Sequence, residues 1–275
     1  MPLKAKDSTF SAAIPHGYHN VRLTVSCGKR GLDYPVKLHQ DGGRDQTEYT
    51  RRAFGAEASE LKFLRMKEPV NTLTHFVTFL AAIVGLVFLI LLSKDNASKL
   101  VTMTIYGVSV ILLYGASSLY HWVRTTPEKE LILKKFDHIS IYVLIAGSYT
   151  PVFYYGLEGA WKWTMLSAVW ALALIGMMLK IWFIHAPRYV STAFYVTLGW
   201  IALVPIVQLI DNLPTGAIVM MVAGGVAYTI GAIIYATKCF DFFPNRFGFH
   251  EIFHLFVTAG STVHFFMMTT YILPL

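Results

Sequence analysis

From residue 70 onward the chain is built of apolar stretches about 20 residues long, the length that crosses bilayer hydrocarbon as a helix. Seven can be read, at roughly 70–92, 100–122, 137–156, 161–184, 189–210, 215–237 and 249–272. Repetition on this scale predicts an all-α membrane protein, a seven-transmembrane helix bundle, because a helix satisfies its backbone polar groups internally. Turn-forming runs such as "SKDNAS" and "DNLPTG" separate the segments. Pro151 and Pro205 fall inside the third and fifth, where kinks are expected and neighbouring helices compensate. Small-residue faces such as "AGGVAYTIGA" suit close packing in lipid. A mean hydropathy of +0.51 with 14% charged residues excludes a soluble domain.

Residues 1–65 differ from the rest. They are rich in Gly, Arg, Asp and His, show no helical or strand period, and contain no apolar run. They are expected to be a disordered extension or the product of a misassigned start, since Met66 opens "MKEPVNTLTHF". Two cysteines, Cys27 and Cys239, cannot build a disulfide framework and lack metal-binding spacing.

The net charge of +7 reflects topology rather than nucleic-acid binding, because the basic residues lie between apolar segments. With a cytoplasmic N-terminus, that side holds Arg51, Arg52, Lys62, Arg65, Lys67, Arg124, Lys129, Lys134, Lys135, Lys180, Arg188, Lys238 and Arg246. The other side holds only Lys94, Lys99 and Lys162. The bias predicts a multi-pass membrane protein with its N-terminus cytoplasmic and its C-terminus outside. That orientation argues against a G-protein-coupled receptor, which places its N-terminus outside.

The titratable residues of the segments then collect at one end. Segment two ends at "SSLYHW" with His121, and segment three begins at "KKFDHIS" with Asp137. Segment seven begins at His250 and His254; segment one begins at Glu68, Asn71 and His75. His250 and His254 are four apart, hence on one helix face, as are Ser117 and His121. An H-x3-H pair joined by a histidine from another helix is a standard three-nitrogen zinc site, leaving the fourth position to water. A lone membrane histidine more commonly bonds a neighbouring helix, so the combination at one depth carries the zinc reading. His264 lies ~15 Å beyond His254 along the helix and cannot share that metal; polar packing or cavity lining is expected of it. His75 and Asn71 either support the ligands or cap and pack segment one. His138 lies about 100° around the helix from Asp137 and is not expected to be a ligand, and His185 is expected at the interface.

Together "EPVNTLTH", "SSLYHW", "KKFDHISIYVLIAGSYTP" and "HEIFHLFVTAGSTVHF" resemble the hemolysin III family, grouped with the progestin and adipoQ receptors and the alkaline ceramidases. The resemblance covers residues 66–275 and rests on S-x3-H, F-D and H-x3-H in combination. It implies an intramembrane zinc near the cytoplasmic face, with His121, His250 and His254 as ligands. Asp137 would correspond to the carboxylate that holds the reacting water, and Ser117 to the serine of the first motif. The function implied is zinc-dependent hydrolysis of an amide bond in a membrane lipid, ceramidase-like, with the lipid as substrate. Two alternatives stand beside it: a pore-forming, cytolytic activity, and a receptor or stress sensor with structural zinc.

Overall fold

The computed structural model describes residues 20–27, 30–37, 66–242 and 247–275. The chain divides into two compact units, Met1–Ala58 and Ser59–Leu275. In the first, strands β1 (Asn20–Cys27) and β2 (Arg30–Lys37) pair antiparallel, Asn20 opposite Lys37 and Cys27 opposite Arg30. This corrects the reading that no strand period exists there: Val21, Leu23 and Val25 alternate with polar residues, a short signal inside a Gly- and Arg-rich stretch. The remaining residues of the expected extension, Arg51, Arg52, Lys62 and Arg65 among them, lie outside the described residues, as does Arg246.

The second unit is helical: α1 (Pro69–Ser93), α2 (Ala97–Trp122), α3 (Pro127–Gly156), α4 (Gly159–Trp182), α5 (Arg188–Gly199), α6 (Ile206–Asn212), α7 (Thr215–Thr237) and α8 (Phe249–Met267). A 3-10 turn, Ile201–Leu203, joins α5 to α6, and a π-helical turn, Met268–Ile272, extends α8. Five of these helices are long and apolar enough to cross a membrane, and the α5–α6 pair, bent by 52°, makes a sixth. The break falls where expected, since Pro205 offers no N–H to continue the ladder. The Tyr149 hydroxyl donates to the Gly199 carbonyl there, satisfying an acceptor that the broken helix leaves open.

α3 is the remaining rod and begins ten residues before its expected apolar segment. Its first ten residues, "PEKELILKKF", carry five charges, with Glu128 and Glu130 in the first turn, where they complement the helix dipole. It falls short of the apolar standard because it packs against α2, α4, α5 and α6 and faces protein more than lipid. Pro151 is accommodated within its continuous run. Where α2 and α3 meet, Gly147 makes the approach possible: a Cβ there would stand 2.3 Å from Ser109 Oγ.

Burial is inverted relative to a soluble protein. On α1, Asn71, Thr72 and His75 are buried, whereas Val84 is 70% exposed and Leu91 60%. Outward apolar side chains match lipid, and the polar ones are turned inward, where partners exist. The rods alternate in direction, so the start of α1, the end of α2, the start of α3 and the start of α8 share one end of the bundle.

Candidate histidine metal centre at one end of the bundle

The chain enters α1 locked to the end of α2. Lys67 N–H donates to the Trp122 carbonyl at 3.1 Å and Glu68 N–H to the His121 carbonyl at 3.0 Å. Glu68 occupies the cap position of α1 but its side chain does not cap the helix. It turns instead to His121, whose Nδ1–H it accepts at 2.7 Å. Asn71 donates to Glu68 Oε2 at 2.8 Å and to Glu251 Oε1 at 2.9 Å, and Glu251 Oε2 accepts the Gly248 N–H at 2.8 Å. One chain of bonds thus fixes the ends of α1, α2 and α8 together.

Burial raises the Glu68 carboxyl, but the hydrogen bond and charge of His121 and then the Asn71 bond outweigh it, holding the group down at about 2 against an ordinary 4.5. Glu68 is therefore an anion that accepts from Nδ1, which leaves His121 Nε2 as the free lone pair. Among the described residues neither that buried nitrogen nor His254 Nδ1, also buried, has a hydrogen-bond partner.

Those rings face one another. The His121 centroid lies 5.0 Å from that of His250 and 4.9 Å from that of His254, which are 4.8 Å apart. One ligand nitrogen from each of His121, His250 and His254 falls within 4.8 Å of the others, so the group can hold a metal ion. Buried imidazoles without partners are costly unless something accepts their lone pairs, and a divalent cation does so.

His75 and Asn71, left between two readings, both belong to the surroundings of this centre. The His75 ring stacks on His254 at 3.7 Å and 11°, and meets Tyr114 edge-on at 4.9 Å. A cavity of about 380 Å³ opens beside the histidines and is lined by Ser117, Asp137, His138, His250 and His254. Ser117 and Asp137 are thus brought to the histidine cavity. His138 lies in the same wall and is not separate from Asp137: its Nδ1 stands 3.5 Å from Asp137 Oδ2 and 2.8 Å from the Lys134 carbonyl. Farther in, the cavity is lined by Leu144, Val152, Ile206 and Met221, and it reaches His264 and Met267. His264 lines it as expected, its Nε2–H donating to the Met221 carbonyl at 3.2 Å. Gly224 gives it room, since a Cβ there would lie 2.3 Å from the ring. His185 is exposed beyond the end of α4.

Sequence reasoning passed over Glu251 and the orienting role of Glu68. The available signal for Glu251 was an acid between two candidate ligands in "HEIFH"; Glu68, 53 residues from His121, had none beyond its place at the start of a polar helix end, "EPVN".

The model of the haemolysin-III related family matches residues 63–265. The chain belongs to that family. Hemolysin-3 of Bacillus cereus is 38% identical over 210 residues, covering 76% of this chain and 93% of that protein. The Hemolysin-3 homolog of Bacillus subtilis (strain 168) is 37% identical over 211 residues, covering 76% and 96%. More distantly, the human monocyte to macrophage differentiation factor is 28% identical over 206 residues, covering 74% and 83%. The likeness to hemolysin III drawn from the motifs is what these comparisons find, and a haemolysin-III related protein is a multi-pass membrane protein, in keeping with its apolar helices.

Proposed function

We propose that this haemolysin-III related protein is a zinc-dependent hydrolase of a membrane-lipid amide bond, working from the cytoplasmic end of the bundle. The observation that carries the reading is the meeting of His121, His250 and His254 beside a long cavity whose inner lining is apolar and whose histidine end holds a carboxylate and a hydroxyl. A purely structural metal needs no such cavity.

Zinc held by three imidazoles supplies a water acidified to near neutrality and a Lewis acid for a carbonyl. The rest falls to side chains. Asp137, in the cavity wall, accepts the proton of the attacking water and returns it to the departing amine. Ser117, buried on the α2 face one turn before His121, donates to the oxyanion that develops at the carbonyl. Glu68 holds His121 in the tautomer and orientation that leave Nε2 to the ion. Leu144, Val152, Ile206 and Met221 take the acyl chain and keep bulk water from the reacting bond.

The test is release of fatty acid from ceramides and other N-acyl lipids by purified protein with zinc. Asp137→Ala should slow turnover by about 10²–10⁴-fold. Equal release by wild type and variant defeats the assignment. The cytolytic reading, which the name of the Bacillus cereus relative suggests, requires a polar path through the bilayer, whereas the deep cavity wall here is largely apolar. Dye leakage from liposomes that persists in His250→Ala would favour it instead.

A further inference from the structure

Two cations line the histidine end of the cavity and a third lies behind them, and among the described residues none is paired with a carboxylate. Lys134 of α3 and Arg188 of α5 line the wall near His138 and His250. Behind them Lys180 of α4 is 6% exposed, and its Nζ donates to Ser191 Oγ at 2.9 Å. Lys134 is close enough to repel it. Among the described residues no carboxylate lies within 4.0 Å of Lys134, Lys180 or Arg188; Asp137 is engaged by His138 instead.

The Arg188 guanidinium is held in place. It lies over the Tyr235 ring at 4.7 Å and the Phe249 ring at 5.1 Å, and donates to the Tyr235 carbonyl at 3.4 Å. Stacking of this kind pre-organises the flat fork that pairs with phosphate oxygens. Basic residues that serve only to set topology need no burial, because they work best fully hydrated. A lysine buried against one hydroxyl bears a desolvation cost that an incoming anion offsets.

We propose that this end of the cavity binds the phosphate-type anionic head of an amphiphile whose apolar tail occupies the inner cavity. The inference rests on the reading of the cavity as a lipid site given above and narrows its substrate to N-acyl lipids carrying a phosphate group. The head sits among Lys134, Arg188 and, behind them, Lys180. The amide then lies between the head and the deeper tail, beside the histidines.

Binding separates this from turnover. Full-length protein in a neutral maltoside detergent is titrated with dodecyl phosphate, dodecanol and inorganic phosphate, each with and without a chelator. Dodecyl phosphate should bind at least about tenfold more tightly than dodecanol, the scale of one charge-assisted contact, and should do so after chelation. Lys134→Gln and Arg188→Gln should each remove most of that preference, and Lys134→Arg should retain it. Lys180→Met should weaken dodecyl phosphate binding without lowering the melting temperature, since it removes a buried charge.

Equal affinity for dodecyl phosphate and dodecanol overturns the site. A preference that vanishes with chelator assigns the head to the metal and overturns it too. Inorganic phosphate binding as tightly as dodecyl phosphate makes the ligand a free anion and removes the amphiphile. No arm measures hydrolysis, so a negative result here leaves the hydrolase reading standing, and failed amide hydrolysis leaves this preference intact.

Discussion

Glu68 carries more of the site than its place before a proline suggests. It forgoes capping α1, accepts from His121, and through Asn71 connects to Glu251 at the start of α8. Glu68→Gln keeps the size but allows the amide to present either an acceptor or a donor to Nδ1, and it removes the charge. Metal affinity should fall by about 10- to 100-fold while the helical content stays unchanged, as competition with a chromogenic chelator will show. The histidine cluster itself was legible in the sequence, because His250 and His254 sit one turn apart in a segment that has every reason to exclude them. The bonds that orient them were not. Asn71 and Glu251 are 180 residues apart, and no local pattern announces a hydrogen bond formed only when the first and last helices meet.

At the scale of the helix, hydropathy recovered most rods because lipid demands outward apolar residues whatever lies within. It placed the start of α3 ten residues late. Hydropathy reports where lipid begins, whereas Pro127–Phe136 continues the helix outside that zone on charged residues. The short alternation in β1 was missed for a different reason, since three apolar residues at period two are a weak signal in any sequence. Helix contact, by contrast, is set by single small residues. Gly147→Ala would place a methyl 2.3 Å from Ser109 Oγ on α2, whereas a Cβ at Gly199 meets nothing within 4 Å. Gly147→Ala should cost about 1–3 kcal/mol, seen as a lower melting temperature in detergent. Gly199→Ala should be close to neutral in the same measurement.

At the largest scale, the helical unit Ser59–Leu275 is a bundle whose buried titratable residues gather at one end and whose orientation is inferred from basic residues. Cys239 tests that orientation, being exposed after α7 at the same end as the histidines. In Cys27→Ser protein, a membrane-impermeant maleimide should label Cys239 only after cells are permeabilised. Labelling of intact cells would invert the topology. Because the three candidate ligands come from α2 and α8, an ion bound by them would join distant parts of the chain, and chelation should lower the melting temperature of wild type but not of His254→Ala. All of this depends on three imidazoles holding one cation. Metal analysis of wild type against the His250→Ala, His254→Ala double variant measures it directly. Expected is close to one zinc per wild-type chain and almost none in the variant; wild type that neither carries nor takes up metal, or a variant that keeps it, would contradict the site.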